Sequence, residues 1–175
     1  MISTGKWTER KFTFDSPLWM FPVYVDRLAG VPARIEDKVR PWPREILTTR
    51  LDGEWSIQEH IGHLLDLESL GMGRLDDYDA GREVLRAADM TNRRTHEAQH
   101  NAQPVEAILA EFRAARGEFI ARLETLDEKQ IARSARHPRL NVPMRVVDLI
   151  SFISEHDDHH LVRMNELKLA LTGIL

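Results

Sequence analysis

The chain has 175 residues, 42% hydrophobic and 30% charged, with a net charge of −4 and no cysteine. That length fits a single domain, residues 1–175, with a sizeable core. The charge balance excludes a nucleic-acid partner, because no long basic stripe occurs and Asn92-Arg-Arg94 is too short to form one. Without cysteine, disulfides, thiolate ligands, iron–sulfur clusters and a cysteine nucleophile are excluded. No apolar run approaches the ~20 residues that span a bilayer. The first residues, Met1 to Lys11, lack the apolar stretch of a secretory signal. A cytoplasmic protein with no membrane partner is expected.

Four segments carry apolar residues at helical spacing, separated by proline, glycine and polar punctuation. The first runs from about Pro17 to Val39, with Leu18, Phe21, Val25, Leu28, Val31 and Ile35 at intervals of three and four. Pro22, Gly30 and Pro32 predict that it is kinked or broken, and Pro41-Trp-Pro43 ends it. The second runs from about Ser56 to Tyr78. Ser56 and Glu59 have the form of a capping box, and Ile57, Ile61, Leu64, Leu67 and Leu75 make the apolar face. Beyond Gly81 the chain extends this helix or forms a short extra one, and Thr91 to Gln103 reads as a polar loop at one end of the bundle.

The third segment covers Pro104 to Leu126, with Pro104 in the first turn and Val105, Ile108, Phe112, Phe119, Leu123 and Leu126 as its buried stripe. The fourth runs from about Pro143 to Leu171. Leu149, Ile153, His156, His160, Met164, Leu167 and Leu171 make a single stripe along it. No strand-rich region occurs, although Lys11-Phe-Thr-Phe14 alternates briefly. The pattern predicts an all-α protein, an antiparallel four-helix bundle.

His156 and His160 lie about 40° apart on their helix and can reach one ion. They hold stripe positions where leucine is expected. Two buried imidazoles without partners are costly, and a divalent metal removes that cost by taking their lone pairs. The other reading leaves them partly exposed or hydrogen-bonded to nearby polar groups. His159 lies about 60° to the other side, as a rim residue or a partner to a ligand. Asp157 and Asp158 face outward by angle and read as solvated charge.

Asp157 also holds the glutamate position of the His-Glu-x-x-His protease motif. Such proteases need a downstream ligand, and only residues 161–175 follow His160. The third ligand is therefore expected upstream, at His60 or His63. Helix angle puts His60 nearer the middle of the apolar arc and His63 on its edge, which slightly favours His60 and decides nothing. His96 and His100 repeat the i, i+4 spacing in polar surroundings, as a surface loop or a lid over the open end. His137 precedes a proline and reads as exposed. No nucleophile elbow, phosphate loop or dinucleotide fingerprint occurs.

Trp55-Ser-Ile-Gln-Glu-His-Ile-Gly-His-Leu-Leu-Asp-Leu-Glu68 resembles the second-helix motif of the DinB/YfiT-like superfamily. His137-Pro-Arg-Leu-Asn-Val-Pro-Met-Arg145 and Glu155-His-Asp-Asp-His-His-Leu-Val-Arg-Met164 resemble its last loop and fourth helix. The likeness spans about Pro22 to Leu169. It implies a four-helix bundle with a three-histidine metal site at one end. The family's ligand pattern falls on His63, His156 and His160, and His60 takes a place that varies. The resemblance further implies zinc or nickel, a homodimer, and an activity among metal-dependent hydrolases or thiol-dependent S-transferases and isomerases.

Three imidazoles leave an open position on the ion, where a water or a substrate thiol is activated. A small-molecule substrate is expected. Glu59, Asp66 and Glu155 are candidates to receive the ligands' second ring N–H. A general base is not identifiable, though His159 or His60 could serve. The rival is a non-enzymatic binding or stress-associated module whose metal is structural or incidental. A structural site would be closed by a fourth protein ligand.

Overall fold

The computed structural model describes residues 4–173. The first apolar segment is broken, as its prolines predict, into α1 (Phe21–Ala29) and α2 (Val31–Val39). Pro22 and Pro32 each stand in a first turn, where the missing N–H leaves no bond unmade. Gly30 joins the two without leaving the right-handed region, and its carbonyl still accepts from the Arg34 N–H at 3.1 Å. A short α3 (Arg44–Thr48) follows.

Helix α4 (Ile57–Asp79) starts at the expected capping box. Ser56 Oγ accepts the Glu59 N–H at 3.1 Å, and the Glu59 carboxylate accepts the Ser56 N–H at 2.9 Å. The stretch after it folds back as α5 (Arg93–Glu97) and a single turn at His100–Ala102. Helix α6 (Val105–Leu123) begins one residue later than expected, with Pro104 extended at its N-cap. A short α7 (Glu128–Ile131) precedes the longest helix, α8 (Val146–Thr172). Gly173, with φ 68°, ends α8 by returning its N–H to the Leu169 carbonyl at 2.7 Å.

The helix expected from about Pro143 begins three residues later, at Val146. Before it, β1 (Ser134–His137) and β2 (Val142–Arg145) form an antiparallel hairpin, with Ser134 opposite Arg145 and His137 opposite Val142. Asn141 turns the chain at φ 55°. The hairpin is anchored where Tyr78 Oη donates to the Met144 carbonyl at 2.8 Å. Residues 11–14 form no strand, and Phe12 and Phe14 pack on the core.

Helices α4 and α1 each pack against both α6 and α8, giving the four-helix arrangement. Its interior has two apolar clusters. One contains Leu75, Phe119, Leu123, Met144 and Phe152, the other Ile35, Ile57, Ile61, Phe112 and Met164. Between them lies a charged layer centred on Arg116, which is 2% exposed. Arg116 donates to Glu68 at 2.6 and 3.0 Å, to Asp157 at 2.7 Å and to the Leu28 carbonyl at 3.0 Å.

Asp157 is thus 1% exposed, which corrects the solvated position expected for it. Helix angle misjudged it because α1 packs against α8 and Arg116 of α6 reaches in to supply a cation. Burial raises the carboxyl pKa of both Glu68 and Asp157, against the pull of Arg116. Asp158 is partly exposed and pairs with Arg27 and with Arg34. Among the described residues no helix is long and apolar enough to cross a membrane.

Replacing Arg116 leaves two buried carboxylates without a counter-charge. Arg116→Met is expected to lose about 3–5 kcal/mol of stability, read from the urea midpoint at neutral pH.

Candidate metal centre

His156 and His160 stand on successive turns of α8, with Nε2 atoms 3.1 Å apart. Across from them on α4, the His63 ring centroid lies 5.5 Å from that of His156 and 4.9 Å from that of His160. One ligand atom from each of the three lies within 4.8 Å of the other two. His60, which helix angle slightly favoured, stands outside this group. Its Nδ1 meets the far nitrogen of His160, Nδ1, at 2.8 Å.

Burial is the first cause that holds these rings neutral. It lowers the His63 pKa to about 4, and it takes His156 and His160 well below the ordinary value, with mutual repulsion among the histidines adding to the effect. Neutral imidazoles present lone pairs at pH 7, as metal binding requires. The group opens on a cavity of about 550 Å³, with Trp7, Trp55, Leu67, Phe119 and Phe152 in its walls. That is the size of a small-molecule site.

The sequence matches the model of the DinB superfamily over residues 27–162. The chain belongs to the DinB superfamily. YfiT from Bacillus subtilis, described as a probable metal-dependent hydrolase with an unusual four-helix bundle topology, is similar in structure. The TM-score is 0.79, at 21% identity, covering 93% of this chain and 94% of YfiT. A mycothiol-dependent maleylpyruvate isomerase is also similar, with a TM-score of 0.65 at 10% identity. That match covers 89% of this chain and 63% of the isomerase, so the chain spans less than two thirds of that protein. No curated protein matches the chain. These likenesses establish the fold.

Within the DinB bundle, a hydrogen-bonded chain fixes His63. Thr95 Oγ1 donates to Asp66 Oδ2 at 2.9 Å, so toward His63 Nδ1, 3.1 Å away, it accepts. His63 therefore carries its proton on Nδ1 and keeps the Nε2 lone pair free. His100 Nε2 donates to the same Asp66 oxygen at 2.9 Å. Burial opposes the Asp66 charge, but these bonds and nearby Arg94 outweigh it and lower its pKa. Of the three carboxylates expected near the ligands, Asp66 alone reaches the group. Glu59 is engaged by Arg50 and its own cap, and Glu155 by Arg27 at 2.9 Å.

The expected polar loop is corrected here: Thr95 and His100 are buried, and His96 remains exposed, packing on Trp55. The overlooked signal was Gly62, a glycine inside a helix. A β-carbon there would overlap the His100 ring, so glycine admits the approach. His137, expected on the surface, is 3% exposed and lines the cavity. Its Nδ1 accepts the Leu140 N–H at 3.2 Å, and its ring meets Phe152 edge-on. His159 is buried beside Trp7, and its Nδ1 is enclosed without a hydrogen-bond partner among the described residues.

Thr95→Val cuts the link between His63 and Asp66. Zinc affinity is expected to fall about 10–100-fold with helical circular dichroism unchanged, read by competition with a chromophoric chelator. His63, His137 and His159 have folded pKa values of about 4 and His60 about 3, each below the ordinary 6.5. Between those limits the unfolded chain binds more protons than the folded one. The metal-free protein therefore keeps this stability above pH ~6.5 and loses it as pH falls toward ~4. Calorimetry should show a lower Tm near pH ~4 than at neutrality, with protonation of Glu68 and Asp157, whose pKa values are raised, opposing part of the decline.

Proposed function

We propose that the chain is a metal-dependent enzyme in which His63, His156 and His160 hold one divalent transition-metal ion, zinc or nickel. The observation that carries this reading is the three-nitrogen group, within 4.8 Å of one another, opening on a cavity of about 550 Å³. The donor set fits: neutral imidazoles suit zinc or nickel, whereas magnesium and calcium require oxygen ligands. When bound there, such an ion supplies a Lewis acid that lowers the pKa of water or of a substrate thiol.

The chain's own residues orient the donors. Thr95 and Asp66 keep the His63 Nε2 lone pair free, and His60 accepts from His160 Nδ1 so that the Nε2 of His160 faces His156. Trp7 packs edge-on against His156. The apolar walls exclude water and receive the body of a small substrate. His60 is thereby a positioning residue, and His159, with Nδ1 enclosed, is poorly placed as a base.

The rival, a structural ion in a binding module, calls for a fourth protein ligand. The nearest extra imidazole, His60, is turned to the far side of His160, which supports an open site. Hydrolysis by an activated water and transfer to an activated thiol are both open to such an ion.

His160→Ala is expected to lose the bound ion while keeping its helical content. Elemental analysis of protein prepared without a histidine tag checks this, and full metal retention in that variant removes the ligand assignment.

A further inference from the structure

Arg74 is a buried cation that the metal centre leaves unused. It stands on α4 eleven residues after His63, which puts both on one helix face, about 16 Å apart along the axis. His63, Leu67, Leu70 and Arg74 form that stripe, and all four line the cavity. Arg74 is only 4% exposed. Its Nε donates to the Arg86 carbonyl at 3.3 Å, and among the described residues nothing accepts from either Nη. Asp77, the nearest acid along the helix, is taken by Arg86 at 3.0 Å and Arg82 at 3.2 Å.

Other buried charges among the described residues are paired, Arg116 with Glu68 and Asp157, and Asp66 with Arg94. Burial pulls the Arg74 guanidinium down to about 10, so it stays charged at neutral pH. Asp77 attracts Arg74 from a distance but forms no ion pair with it, and a buried cation facing a cavity without such a pair is costly until an anion arrives.

The hairpin brings two more donors to this end. His137, neutral and with Nδ1 already accepting from Leu140, carries its proton on Nε2, and Arg139 lines the same cavity from an exposed position. The acids on the cavity wall are engaged elsewhere. Glu68 and Asp157 bind Arg116, and the Asp89 carboxylate is held by the Thr91 and Arg93 N–H groups at 2.9 and 3.1 Å. An unbroken aromatic wall runs from His137 through Phe152 and Trp7 to His156, with neighbouring ring centroids 5.5, 5.1 and 5.0 Å apart.

We propose that Arg74, with His137 and Arg139, forms an anion subsite that receives a substrate carboxylate at the end of the cavity away from the three histidines. The two free Nη atoms suit the paired oxygens of a carboxylate. The substrate class is a small organic acid with an apolar body, anchored so that its other end meets the metal centre. That orientation rests on the metal-dependent reading above; the subsite itself does not.

The test compares 4-phenylbutyrate with uncharged 4-phenylbutyramide by titration calorimetry on zinc-loaded wild type, Arg74→Gln and His160→Ala. Wild type is expected to bind the acid at least about tenfold more tightly than the amide, a difference typical of a charge-assisted pair. Arg74→Gln should abolish that preference and keep its zinc, whereas His160→Ala should lose zinc and keep the preference. Equal binding of acid and amide by wild type, or no binding of the acid, overturns the proposal. So does a preference that survives Arg74→Gln and disappears in His160→Ala, which places the carboxylate on the ion. Zinc retained by His160→Ala counts against the ligand assignment alone. Should Arg74→Gln not fold, Arg139→Gln at the exposed rim decides: a preference reduced roughly two- to fivefold supports the subsite, and an unchanged one overturns it.

Discussion

The guanidinium of Arg116 sets the heights at which the helices meet. From α6 it reaches Glu68 on α4, Asp157 on α8 and the Leu28 carbonyl on α1, all within the bundle interior. Glu68 lies five residues after His63, and Asp157 directly follows His156. A single planar group therefore ties together the two helices that carry the three histidines. Sliding either helix by one turn, about 5.4 Å, would break these bonds and separate the imidazoles. The apolar clusters on either side supply most of the packing energy, but such surfaces tolerate shifts that a directional ion pair does not.

Buried polarity continues from that layer to the three-histidine group. Desolvation keeps His63, His156 and His160 neutral, and each of two flanking networks settles which nitrogen faces inward. Asp66 and Thr95 hold His63, while His60 holds His160. His100 is drawn in by Asp66 and by the space that Gly62 leaves. The three-histidine group is thus held in one arrangement by its neighbours, which limits what binding of the proposed ion would have to reorganise.

Much of this was legible in the sequence. The capping box at Ser56 and Glu59, the break at Gly30 between two prolines, and the stripe carrying His156 and His160 are local features written by spacing. The choice of His63 over His60 came from family resemblance, and helix angle pointed the other way. Both residues are buried, and angle does not separate them: His63 faces the cavity and His60 faces behind His160. Asp157 was misread as solvated because a charged residue on a flank is ordinarily exposed, and its cation comes from α6, 41 residues away. The hairpin was missed because its strands have four residues each, one of them Pro143, which also reads as a helix start. Thr95, His100 and His137 were hidden because their segments are held by hydrogen bonds and lack an apolar period.

In the proposed metal centre three imidazoles and no fourth protein ligand hold one ion at one end of the cavity. X-ray absorption at the zinc edge, on untagged protein loaded with one zinc per chain, tests it most directly. The expected result is three imidazole nitrogens at about 2.0–2.1 Å, with the remaining positions filled by non-protein oxygen. Four imidazoles in the fit, or a shell of oxygen alone, would contradict it.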